Sequence, residues 1–228
     1  MAKTTNFQAE KKSSVKKLFK QTKKKAKKKK YGFSGGLSLK RSLENGDTTL
    51  GSSIKWKPIP KNYYYFKVGL KHDFSTDKEK FSYSWHVGYN DWHEGTWTYQ
   101  VNHWGGIHPG EAFDSENSIG SIGYKVKLDF LKERKLKSGI TLSKKLGGDA
   151  PFKLSTSLQW APKKYWFIKA ILVQPLDGDD AAWNYLFGYD DWHANTWGFE
   201  YSNYDSNPLN ETNFKKSGKF AITYKWEY

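Results

Sequence analysis

From residue 31 onward, apolar and polar side chains alternate in short runs broken by Gly, Pro, Asn and Asp. Successive residues of a strand face opposite sides, so each run predicts a strand with one apolar face. The runs lie near 31–43, 49–58, 62–73, 80–90, 95–104, 119–131, 136–146, 151–161, 164–174, 181–190, 195–204 and 217–228. The pattern therefore predicts twelve strands and no convincing helix. One register holds Leu37, Leu39, Ile54, Trp56, Tyr64, Phe66, Val68, Leu70, Trp85, Val87, Tyr99, Ile122, Leu128, Phe130, Ile140, Leu158, Ile168, Phe187, Phe199 and Ile222. It carries no Lys, Arg, Asp or Glu. The opposite register holds lysines among many Ser, Thr and Gly.

The second half of the chain restates the first. FSYSWHVGYNDWHEGTWTYQVNHW at 81–104 returns as AAWNYLFGYDDWHANTWGFEYSNY at 181–204, and LSLKRSL, SIKWKPIPK and YYYFKVG are answered by ITLSKKL, SLQWAPKK and YWFIKAI. The duplicated unit is six strands long, giving repeats at 31–131 and 136–228.

A soluble sandwich of two sheets alternates as well. It seldom places so many Trp and Tyr on core positions near strand ends, because a buried indole or phenol needs a hydrogen-bond partner. At a membrane interface the same rings form girdles, and the strands between them are only half apolar. That accounts for a mean hydropathy of −0.84 beside 18% aromatic residues. The expected fold is all-β: a transmembrane antiparallel up-and-down β-barrel of about 12 strands. The shorter connections PKN, NDWHEG and LKERK fall on one end, and longer acidic ones such as DFSTDKEK and GGIHPGEAFDSENS on the other. Short periplasmic turns and longer external loops are the bacterial pattern, which puts both termini in the periplasm.

Charge changes the picture only when divided. Residues 1–30 hold 13 lysines and one acid, Glu10; removing these from totals of 38 and 23 leaves 25 basic and 22 acidic residues in 31–228. Basicity belongs to an N-terminal arm, expected to be disordered or helical, and not to the barrel. Such an arm suits a periplasmic partner or a polyanion; the barrel offers no surface for nucleic acid. The chain has no cysteine, hence neither disulfides nor thiolate metal sites. MAKTTNFQAE lacks the apolar stretch of a signal peptide, so an exported form would be numbered as a mature or recombinant chain.

The final strand, Phe220, Ile222, Tyr224, Trp226 and Tyr228 at period two, resembles the closing strand of Gram-negative outer-membrane proteins. That resemblance implies an assembly signal read by the barrel-assembly machinery. The plan as a whole is similar to small twelve-stranded oligosaccharide channels and to exopolysaccharide-export barrels. Those families imply a secretion or uptake channel in which inward basic residues carry acidic sugars and lumen aromatics stack on sugar rings.

On the inward register the candidates to line a pore are Lys55, Lys67, Lys71, Lys125, Lys127, Lys153, Lys169, Lys225 and Glu200, with Tyr65, Trp104, Tyr165 and Phe167 as lumen aromatics. Lysines facing water keep their hydration, whereas on the lipid side each would cost about 2–4 kcal/mol. The repeated Asp91-Trp92-His93 and Asp191-Trp192-His193 read as periplasmic turns, capped by the Asp and anchored by the Trp. Two ligands per turn fall short of a metal site, and no cofactor is implied. His86, His103 and His72 lack a visible serine and carboxylate partner, so no catalytic set is expected. A channel for anionic solutes is thus the leading reading. The alternatives are a non-conducting barrel anchoring the arm to a partner, and a membrane-embedded lipid hydrolase.

Overall fold

The alternating runs pair edge to edge. In the computed structural model, which describes residues 32–59, 62–74, 80–105, 115–203 and 217–227, they form β1 (Phe33–Ser42), β2 (Thr48–Trp56), β3 (Tyr64–Asp73), β4 (Lys80–Asn90), β5 (Trp97–Gly105) and β6 (Ser118–Val126). The second set is β7 (Leu136–Lys145), β8 (Lys153–Trp160), β9 (Trp166–Pro175), β10 (Ala182–Asp190), β11 (Thr196–Asn203) and β12 (Gly218–Glu227). Each strand is antiparallel to its sequence neighbours, and β1 pairs with β12 to close the barrel. Closure removes the unpaired edges that an open sheet would present. Residues 1–30 and Tyr228 lie outside the described residues, so the arm and the last aromatic of the final strand are not placed.

The protein is inside-out. Ile54, Leu70, Ile168 and Ile222 are 57%, 61%, 49% and 53% exposed, and buried apolar side chains are few. The exposed register is the apolar one; the polar register points inward. Aliphatic residues occupy the middle of the outer face. Aromatic rings crowd the end where the chain enters: Tyr64, Tyr89 and Tyr99 contact in series at 5.1 and 5.5 Å, and Trp97 meets Tyr124 at 5.0 Å. The second repeat matches this with Trp166, Tyr189 and Phe199 at 5.8 and 6.3 Å and Trp197 with Tyr224 at 5.0 Å.

The two repeats share more than sequence. Tyr124 pairs with Ile140 across the β6–β7 seam, and Tyr224 with Leu37 across β12–β1. Lys125 faces Gly139, and Lys225 faces Gly36. Within the halves, Phe66 pairs with Val87 as Ile168 pairs with Phe187, and Tyr99 with Ile122 as Phe199 with Ile222. Register is therefore repeated around the whole ring, and strands six apart stand across from one another at matched heights.

One stretch departs from the sequence reading. The sixth strand stops at Val126, and Asp129–Glu133 forms a single helical turn, α1. Leu128 and Phe130, read as strand positions, lie at that turn, while Leu131 is buried. DFLKE ends in the good helix formers Leu131, Lys132 and Glu133 and has Asp129 at the start, where the helix dipole favours an acid. Past the last pairing with β7 no ladder competes with it. A further short 3-10 turn, Ser115–Asn117, precedes β6.

Candidate functional site: the barrel interior and its rim

Inward side chains are set by register. Lys55 pairs with Lys67 on the same face of β2 and β3, and Lys67 is opposite His86. Lys40 shares this face, opposite Thr49 and Ala221. It stands within electrostatic reach of Lys67, two strands away, and of Glu200 on β11. Side chains on strands that are not neighbours meet this way only inside the ring. Lys40 was missed by the sequence reading although Leu37 and Leu39 beside it fix its direction.

The charges are unevenly held. Lys169 has Glu200 as an electrostatic partner. Away from the strand ends, Glu200 is the one inward acid among the described residues. Glu200 is also within reach of Lys40, so the lysines left without an acid are Lys55 and Lys67, a positive strip on β2–β3. Lys71 lies near the far end, 3.4 Å from Asp73. Lys153, at the start of β8, is exposed at that same end, and Lys127 lies beyond β6 next to Gly95.

Lys125 and Lys225 do a different job from the central lysines. Lys125 Nζ donates to Asn90 Oδ1 at 2.9 Å and to the carbonyl of Asp91; Lys225 Nζ donates to the carbonyl of Asp191 at 3.1 Å and pairs with Asp190. Each ties a rim turn to the strand beside it.

The lumen aromatics also divide. Tyr65 is buried, donates to Gln100 Oε1 at 2.8 Å, and has Lys55 Nζ 4.3 Å above its ring. Its face is already covered by a cation. Trp104 meets His86 edge-on at 5.7 Å and stays 48% exposed, while His86 Nδ1 lies 2.6 Å from Asn102 Oδ1. Phe167 is inward opposite Gly188. Tyr165, expected in the lumen, instead stands in the turn before β9 with φ 68, its hydroxyl 3.2 Å from His193 Nδ1.

The two Asp-Trp-His turns are near copies. Asp91 Oδ1 accepts from the His93 amide at 3.0 Å and lies 2.6 Å from its Nδ1; Asp191 and His193 repeat both distances. Thr96 and Thr196 hydroxyls donate back to the His93 and His193 carbonyls at 2.7 and 2.6 Å. Gly95 and Asn195 take the positive φ, 77 and 60, that closes each turn. Desolvation pushes both carboxyls up, but the amide and ring of the neighbouring histidine and a nearby lysine outweigh it and hold them below the usual range. Trp92 and Trp192, 71% and 73% exposed, stack on their histidines at 3.8 and 3.9 Å. At the same end Lys132, Lys135, Lys137, Lys163 and Lys164 line a cleft with Glu94 and Tyr165.

His103 has a serine that sequence spacing could not show. Its Nδ1 lies 2.9 Å from Ser118 Oγ on the neighbouring strand, its ring stacks on Trp85 at 5.4 Å, and both residues of the pair are buried. Burial under Trp85 suits a satisfied structural pair better than an accessible nucleophile. Among the described residues no group of three His, Asp or Glu could hold a metal ion.

No protein-family model matches the chain, and no curated protein does. Solved structures do: one is a triple mutant of the porin of Rh. blastica, 9% identical, covering 86% of this chain and 98% of the porin, with a TM-score of 0.41. At that level the likeness adds nothing to the barrel already drawn by the strand order.

Proposed function

We propose that the protein is an outer-membrane channel for anionic polar solutes. The observation that carries this reading is the pairing of two faces on one sheet. An outer face free of charge except at Arg41 and Lys144 near one rim, with aromatic rings at its margin, suits lipid. The inward face holds Lys40, Lys55, Lys67 and Lys169 against the one acid Glu200 away from the strand ends among the described residues. Strands of 8 to 11 residues fit a tilted crossing of the hydrocarbon layer. Twelve strands spaced by about 4.8 Å and tilted by about 40° enclose a ring about 24 Å across between opposite backbones. Rows of Ser, Gly and Thr project little into that space and leave room for a passage. A low-dielectric wall focuses the lysine field on the solute path, and the lysine-lined rim cleft gathers anions at the short-turn end. The lysine-rich residues 1–30 would engage a periplasmic partner or a polyanion, placing the channel in secretion or assembly.

The test is the reversal potential of the refolded protein in a planar bilayer under a KCl gradient. An anion preference that weakens with ionic strength is expected, because salt screens exposed charge over about 8–10 Å. Cation selectivity or no current would remove the channel reading in favour of a structural barrel. A monodisperse β-fold in plain buffer would remove the membrane claim itself.

A further inference from the structure

The two walls of the interior differ in a way the repeat does not require. At matched heights Tyr65, Gly69, Lys71 and His86 of the first repeat correspond to Phe167, Ile171, Val173 and Leu186 of the second. All four apolar residues are inward; Phe167, Ile171 and Val173 are half-buried, and Leu186 is buried. Phe167 pairs with Gly188, Leu186 with Lys169, Ile171 with Asn184, and Val173 with Ala182 on the face that carries Lys169 and Glu200. β3 and β9 are six strands apart in a closed ring of twelve, so they stand on opposite sides of the lumen. The apolar patch on β9–β10 thus faces the strip of Lys55 and Lys67. Opposite Ile171 the first repeat has Gly69, flanked by the small Ser53 and Ser84, so no bulky side chain projects from the basic side at that height.

We infer that the channel selects amphipathic organic anions: solutes with one carboxylate-like group and a compact apolar part, in preference to uniformly hydrophilic anions. This rests on the channel reading and sharpens it. The lysines supply charge attraction, focused into the lumen by low-dielectric walls. The opposite wall removes apolar solute surface from water, worth about 25 cal/mol per Å² buried. A sugar acid would gain only the first. A neutral apolar solute would gain only the second.

The experiment compares block of the KCl current by 3-phenylpropionate and by glucuronate, which carry the same charge. Phenylpropionate should reach half-block at a concentration at least about tenfold lower, a ratio that corresponds to burying roughly 55 Å² of apolar surface. In Ile171→Ser/Leu186→Ser that ratio should fall toward one. Val173→Thr, nearly isosteric and so gentle to the fold, should lower it part of the way. Equal block by the two anions in the wild type overturns the inference while anion selectivity leaves the channel reading intact. An unchanged ratio in the serine and threonine variants assigns these side chains to filling the barrel and overturns it too. Absence of current defeats the channel reading first, and this inference with it.

Discussion

The two repeats use the same hydrogen-bond register and the same rim turns, yet they spend their inward positions differently. The first half is basic and small-residued, with Lys55, Lys67, Gly69 and His86. The second sets Lys169 against Glu200 and fills Ile171, Val173 and Leu186 with carbon. The closing seams differ as well. At β1–β12 the Trp226 ring lies where a side chain of Gly35 would stand, whereas the corresponding pair at β6–β7 is Val126 with Ser138. A barrel's stability depends on an apolar outer face and on register, and both halves keep these. The inward face is free of the packing constraint that a soluble core imposes, so the two halves can differ there.

The sharpest way to break the comparison is on the outer face, where the halves should behave alike. Val68→Arg and Ala170→Arg occupy equivalent outward positions and should each cost about 2–4 kcal/mol in a lipid-refolding equilibrium. The same change at inward Ser121 should be far milder, since moving one register turns the side chain to the other face. Equal costs on the two faces would invert the assignment of inside and outside.

At the seams the halves should part. Trp226→Ala uncovers Gly35 and should cost on the order of 1 kcal/mol, as a lost cross-strand aromatic contact does. Val126→Ala should cost less, which the midpoint of heat-modifiable gel migration would resolve.

The lumen gives a smaller, selective difference. Lys67→Glu should shift the reversal potential further toward cations than Lys169→Glu, because Lys169 shares Glu200 with Lys40 whereas Lys67 adjoins only the like charges of Lys55 and Lys40. Matching shifts would mean that the basic strip is not concentrated on the first half.

Least in size is the effect of the rim turns. The carboxyls of Asp91 and Asp191 are held below their ordinary values, so what they contribute is complete above the unfolded carboxylate value of about 4. It is lost as pH falls through the lower folded value. The gap in thermal midpoint between wild type and Asp91→Asn/Asp191→Asn should therefore be constant near neutrality and close in acid. A gap that widened on acidification would show that these carboxyls do not hold the turns.

Much of this was legible from period two alone. Alternation gave the number and direction of strands, and the absence of charge on one register separated the two faces, because a side chain's face is fixed by its parity along a strand. The repeat could be read because equal spacing survives translation along the chain. Where the reading departed, a local competitor had taken over. Helix-forming DFLKE was released from the ladder at Val126, and Tyr165 was drawn to His193 by a hydroxyl contact at the end of its strand.

What the sequence by itself determined is everything that depends on the order of neighbours: the strands, their two faces, the turns and the duplication. What only the tertiary structure decided is everything that depends on closure. Until β1 meets β12, Lys40 has no Glu200, and the lysines of β2–β3 have no apolar wall across from them. Those partners lie on other strands or on the far side of the ring. Parity says which way a side chain points, but only a closed ring says what it points at.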